Sequence, residues 1–383
     1  MQVLGIFSII TGLAAQLWPT WLALAVTLVL SFQFRRRLGL YGHLVATGVG
    51  FTGVAICLFW LFTAIFAHVI APFDPLQQIV TLKNGLPGSV DSASGSAYLL
   101  GGDKLARDVF SRMVYGSRIV LAIAPAATGI SLLVGSLLGL PAGYYGGRVD
   151  AVLSFIANLV LAFPVILLFY LLVTPGIMET AVPFVMAGFF FLFPILFLLV
   201  LFYTGYRKQP VKCAVLLLIT VAIGGYIYNR LVFDRDPLHL VHLEPNELNI
   251  FIAVAFASSP GVFRIVRGLA MDIKTREYVS AARTRGESPW YVMLWEILPN
   301  ARGPLIVDTC LRIGYTTILL GTLGFFGLGM SPESPDWGTA IKDGSQFLRL
   351  YVWPPLVPAM ALMSFVLGLN LLADSLREQS LRD

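Results

Sequence analysis

Charge is scarce in this 383-residue chain, and its densest concentration lies between Arg264 and Arg302. Arg264, Arg267, Asp272, Lys274, Arg276, Glu277, Arg283, Arg285, Glu287, Glu296 and Arg302 fall there, between two long apolar segments. Guanidinium and carboxylate groups at this density suit ionic recognition of a partner surface or simple solvation of a loop. They do not suit catalysis, because no nucleophile is paired with a base. A phosphate-binding Gly-x-x-x-x-Gly-Lys-Ser/Thr loop is missing, so the chain is not expected to hydrolyse ATP itself. His239 and His242, with Glu244 nearby, have a spacing that could bring two imidazoles to one helical face. Pro237 and Pro245 flank them, however, and nothing completes a ligand set, so no metal is expected. Asp308 and Arg312 sit four residues apart inside an apolar run, which lets them pair on one helix face. Charges at such a depth are costly and face a protein interior or a wet cavity. An internal salt bridge is the plainer reading and contact with a transported solute the sharper one.

The elements that must position the charged stretch can be read from its punctuation. Glu277-Tyr278-Val279-Ser280-Ala281-Ala282-Arg283-Thr284-Arg285-Gly286 predicts a short helix closed by Gly286 in the left-handed conformation. Ser288 is placed to cap a second helix, with Pro289 in its first turn. Pro299, in Glu296-Ile297-Leu298-Pro299-Asn300, is expected to end that helix. The result is a helix–break–helix held between two apolar spans.

Composition fixes the setting. Hydrophobic residues make up 57% of the chain and charged residues 12%, and the mean hydropathy is +0.81. Such a chain is an all-α integral membrane protein, since each run of about 20 apolar residues is the length a bilayer-spanning helix needs. A net charge of +5 is too small and scattered to imply nucleic acid. Nine spans are expected, at about 7–33 (interrupted by Pro19), 45–69, 118–141, 150–173, 182–205, 213–232, 249–268, 304–327 and 353–373. Basic turns at 35–37, 207–212 and 264–302 and the acidic stretch Asp234 to Glu247 are sorted to opposite faces when the C-terminus is cytoplasmic. Lys83, Lys104, Arg107 and Arg112 run against that bias. The first cation is Arg35, so no cleavable signal peptide is expected. Cys57, Cys213 and Cys310 read as packing thiols. Trp18, Trp21, Trp60, Trp337 and Trp353 read as interface anchors, and Gly314, Gly321, Gly324, Gly327 and Gly329 as close helix contacts.

The charged stretch resembles the coupling loop of bacterial ABC importer permeases, through its Ala-Ala-x-x-x-Gly core and downstream Leu298-Pro299. Tyr278-Val279-Ser280-Ala281-Ala282-Arg283 and Ile297-Leu298-Pro299-Asn300 are similar to the C-type subunit of dipeptide and oligopeptide importers. Further likeness lies in Gly101-Gly102-Asp103-Lys104-Leu105-Ala106-Arg107-Asp108-Val109-Phe110-Ser111-Arg112, where Gly102 and Ala106 stand for the usual Thr and Gly. Ala142 to Gly147, Gly327-Leu328-Gly329 and Trp337-Gly338 extend it. Where the family has Glu, this chain has Ser280, so an acidic contact would come from Glu277 or Glu287.

The resemblance implies a six-span permease core plus about three additional spans. Residues 1–44 would be an added N-terminal helix and basic turn, 45–117 the first core span and extracytoplasmic loop, and 118–383 the permease domain with an inserted hairpin at about 182–232. It implies half of a translocation pore in the bacterial inner membrane, importing di- or oligopeptides. Nickel, glutathione or an opine-like solute are alternatives, and a non-transporting scaffold or sensor a remoter one. The implied partners are a second permease subunit, two ATPase subunits that bind the ATP, and an extracytoplasmic solute-binding protein. Glu277, Tyr278, Ser280, Ala281, Ala282, Arg283, Gly286, Ser288, Leu298 and Pro299 would meet the ATPase, with Ala281 and Ala282 facing its groove.

Overall fold

A computed structural model describes residues 2–173, 180–233, 245–328 and 333–380. Among these, seven helices are long and apolar enough to cross a bilayer: α4 (Gly48–Ile65), α6 (Val109–Tyr145), α9 (Ala181–Tyr206), α10 (Pro210–Phe233), α11 (Pro245–Ile273), α15 (Arg302–Phe326) and α17 (Trp353–Ser380). The other two expected spans are each broken. The first is α1 (Ile6–Gln16) and α2 (Trp18–Gln33), bent by 60°. Pro19, in the first turn of α2, has no N–H to continue the helical ladder. The fourth is α7 (Gly147–Ala162) and α8 (Val165–Val173). Phe163 between them is extended, with ψ 127°, as the residue before Pro164 is biased to be.

Spatially, the chain groups into two units that cut across its linear order: residues 1–125 with 310–383, and residues 126–309. In the first unit, α4 and α17 lie against each other through small residues. A Cβ on Gly53 would meet the Leu372 nitrogen at 2.7 Å, and one on Gly368 would meet Ile56 at 2.7 Å. Thr47 and Ser375 share a 3.0 Å hydrogen bond, and Trp60 Nε1 donates to Ser364 Oγ at 2.9 Å. Trp60 and Trp337 are buried and meet edge to face at 5.0 Å, packed with Phe365 and Leu369. These two tryptophans are therefore core residues, not the interface anchors their type suggested, whereas Trp18 and Trp21 are exposed. Three two-residue strands form a small antiparallel sheet: β1 (Gln2–Val3) pairs with β2 (Ser89–Val90), and β2 with β3 (Ala97–Tyr98), the last two in the loop between α4 and α6.

The second unit is organised by a stripe of glycines on α6. Gly135, Gly139 and Gly143, spaced four apart, face α11; an added Cβ would lie 2.5 Å from Val262, 2.8 Å from the Phe263 carbonyl and 2.5 Å from the Arg267 carbonyl. Such a stripe lets two backbones approach where lipid offers no hydrophobic drive between helices. The hairpin divides in character. Phe190, Phe191, Phe193 and Phe197 of α9 are buried in this unit's core, while α10 is largely exposed.

Candidate functional site

The charged stretch folds into the expected helix–break–helix inside the second unit. α12 (Glu277–Thr284) is closed by Gly286 at φ +78°. Glu287 N donates to the Ala282 carbonyl at 3.3 Å and Gly286 N to the Arg283 carbonyl at 2.9 Å, the paired bonds of a Schellman closure. Ser288 then caps α13 (Pro289–Tyr291) by accepting from Tyr291 N at 3.3 Å, with Pro289 in the first turn. The helix continues through a π-helical stretch, Val292–Ile297, to α14 (Leu298–Asn300). Pro299 does not end it; the wider turn precedes the proline and the break falls at Ala301. A proline ring crowds the carbonyl one turn back, and a π-turn relieves that crowding.

One face of this segment is a floor and the other a presented surface. Val279, Ala282, Val292, Met293, Leu294, Ile297 and Ala301 are buried with Val262, Val266, Ala270 and Ile273 of α11. Glu277, Tyr278, Ser280, Ala281, Arg283, Gly286 and Pro299 are exposed, and Ser288 and Leu298 are partly so. Ala282 therefore departs from the expectation placed on it. With no exposed surface, it packs α12 onto the unit and cannot itself meet a partner. The i, i+3 spacing of Val279 and Ala282 was the signal that could have shown this. Glu277 lies one turn before Ser280 on the exposed side, while Glu287 is drawn toward Lys208 at 3.7 Å.

Ionic and aromatic contacts hold the segment on its base. Lys274 Nζ donates to the Gly143 carbonyl at 2.7 Å, placing a cation on the carbonyl end of α6. Arg267 forks onto Asp150, with one arm at 2.6 Å. The Arg283 guanidinium lies 4.7 Å over the Tyr144 ring, and Arg285 pairs with Glu296 at 3.0 Å. Trp295 Nε1 donates to Thr204 Oγ1 at 3.2 Å, next to Gly205, where any Cβ would strike the Trp295 ring. Neither Trp295 nor the glycine stripe on α6 stood out in the sequence, because a lone aromatic and scattered glycines are ordinary in apolar runs.

The Gly101–Arg112 motif forms a separate network in the first unit. Asp103 accepts from the backbone of Leu105 and Arg107 and from Arg107 Nε, the last at 2.7 Å. Lys104 pairs with Asp343 at 2.9 Å, and Arg112 donates to the Ser334 carbonyl at 2.8 Å. Asp108 caps α6 by accepting from Ser111 N and Oγ. Burial pushes its carboxyl up to about 6, and its second oxygen has no hydrogen-bond partner among the described residues. Ala106, standing where the family has Gly, takes a left-handed φ of +61°. Asp308 and Arg312 both lie on α15, partly buried and four residues apart. The His239, His242 and Glu244 cluster falls outside the described residues.

Residues 210–381 match the family of binding-protein-dependent transport system inner membrane components. The dipeptide transport system permease protein of Haemophilus influenzae is 29% identical over 85% of this chain and 88% of its own. The di/tripeptide transport system permease protein of Pseudomonas aeruginosa is 28% identical over 85% of each chain. The glutathione transport system permease protein of Pectobacterium atrosepticum is 28% identical over 76% of this chain and 74% of its own.

Proposed function

We propose that this chain, of which residues 210–381 match the family of binding-protein-dependent transport system inner membrane components, is the C-type permease of a peptide importer and meets a cytoplasmic ATPase through the loop 271–298. The observation that carries this reading is the exposed ridge of Glu277, Tyr278, Ser280, Ala281 and Arg283 above the buried row of Val279, Ala282, Val292 and Ile297. A partner pulling on that ridge moves the floor with it, and the floor is continuous with α11. Closure of two ATPases on ATP would thereby switch the pore between outward and inward access. Solute would arrive on an external binding protein, and a second permease would complete the pore. Di- and oligopeptides are the favoured cargo because relatives are named for dipeptide and di/tripeptide transport; glutathione is the second reading, on the same ground.

The orientation we favour has the C-terminus in the cytoplasm. Two contacts support it: the 207–212 turn lies against the 285–295 stretch through Lys208–Glu287 and Thr204–Trp295, and β1 pairs with β2 in the 72–117 loop. The first groups two basic segments on one face, and the second puts the N-terminus with that loop.

Uptake of a radiolabelled dipeptide by cells carrying the complete importer tests the reading. Gly286→Val is expected to cut uptake at least tenfold, because a β-branched residue resists the left-handed backbone, while ATP hydrolysis by the partner persists. Undiminished uptake in that variant would remove the coupling role; uptake confined to glutathione would change only the cargo.

A further inference from the structure

Between the turn of the α9–α10 hairpin and the break at Gly286 lies an open groove of about 960 Å³. Its walls change character along their length. Leu199, Tyr203 and Arg207 follow one another at four-residue intervals on one face of α9 and its C-cap, so aliphatic gives way to aromatic and then to cationic over about 12 Å. Leu217 of α10 adds to the apolar end, and Trp290 and Arg285 form the opposite wall. Lys208 and Arg285 are already engaged by Glu287 and Glu296, whereas Arg207 has no ionic partner among the described residues and is exposed. The apolar end belongs to two helices that are candidate spans, and Arg207 lies just past the end of the first of them, the position expected of a headgroup-level cation.

We propose that this groove binds one anionic phospholipid of the adjoining leaflet, its phosphate against Arg207 and an acyl chain along Leu199 and Leu217. A soluble anion would leave the aliphatic floor exposed to water, at about 25 cal/mol per Å². A zwitterionic lipid would bring a second cation to Arg207. An anionic lipid satisfies both ends, and cations at this depth favour such headgroups. Gly286 and Ser288 form part of the wall, so an occupied groove holds the break between the two short helices in its observed geometry. The inference uses the function proposed above only for the importance of that break, not for binding itself.

The purified full-length permease in nanodiscs of phosphatidylcholine doped with phosphatidylglycerol, examined by native mass spectrometry, tests it without any ATPase. The chain is expected to retain one phosphatidylglycerol in preference to phosphatidylcholine. Arg207→Glu should weaken retention about tenfold or more, Arg207→Lys should preserve it, and Leu217→Trp should weaken it by narrowing the apolar end. Equal retention of phosphatidylcholine, or unchanged retention in both Arg207→Glu and Leu217→Trp, would overturn the proposal. Displacement by glycerol phosphate or inorganic phosphate would make this a soluble-anion site, and expulsion of the lipid on adding the ATPase would assign the groove to that protein; either result also overturns it. The retention results obtained without the ATPase do not bear on whether the ATPase binds the exposed ridge of α12.

Discussion

At the scale of single residues, the chain holds two positions whose chemistry opposes their surroundings. Ala106 is buried with a left-handed backbone, a conformation that costs a residue with a Cβ about 1 kcal/mol and glycine almost nothing. Ala106→Gly is therefore expected to raise the thermal midpoint in detergent, and a lowered midpoint would contradict the account. Asp108 is held up to about 6 from 3.8 by burial. Between those values the folded chain keeps a proton that the unfolded chain has lost, so this group's contribution to stability is full below about pH 4 and falls as pH rises to about 6. The shift corresponds to about 3 kcal/mol. Asp108→Asn, which can still accept from Ser111, should flatten the fall in midpoint between pH 4 and pH 6; an unchanged slope would sink the assignment. Gly286 was legible in the sequence because a glycine separated by one residue from Ser288-Pro289 has few other uses. The strain at Ala106 was visible only as a departure from a family pattern, since nothing in an Ala announces a positive φ.

Among the elements, hydropathy located the spans well and their continuity poorly. A bilayer selects for unbroken apolar runs, and the run across 150–173 stays apolar on both sides of Pro164, so only the proline betrays the break. The ends of α6 were likewise hidden: it runs 37 residues, about 55 Å, well beyond a hydrocarbon core of about 30 Å. Its extra turns carry the Asp108 cap at one end and the Lys274-bound carbonyls at the other. The glycine stripe on α6 should be the least replaceable feature of the second unit. Gly139→Leu is expected to cost about 3 kcal/mol or more, because the obstruction is the backbone of α11 rather than a movable side chain. Gly268, with open space around it, should accept Ala with little change. Equal thermal midpoints for Gly139→Leu and the parent chain would show that α6 and α11 do not depend on this contact. Within the hairpin, α9 and α10 differ for a reason the sequence obscured: both are apolar on every side, and hydropathy alone does not separate protein-facing from lipid-facing surface.

For the whole molecule, the favoured topology makes two checks possible. A reporter active only in the cytoplasm should work when fused after Asp383 and stay silent near residue 240, whereas the reverse would require the basic turns to lie outside. The central claim is the docking of a cytoplasmic ATPase on the exposed face of α12, and adjacent alanines on opposite faces of that helix separate it from folding. Ala281 is exposed and Ala282 wholly buried. Ala281→Trp should leave the thermal midpoint of the permease near that of the parent, while Ala282→Trp should lower it by overpacking the floor. The most direct measurement is therefore the amount of ATPase that co-purifies with the Ala281→Trp permease. The expected result is at least a tenfold loss of ATPase from a normally inserted, normally stable permease; undiminished recovery would place the docking surface elsewhere on the chain.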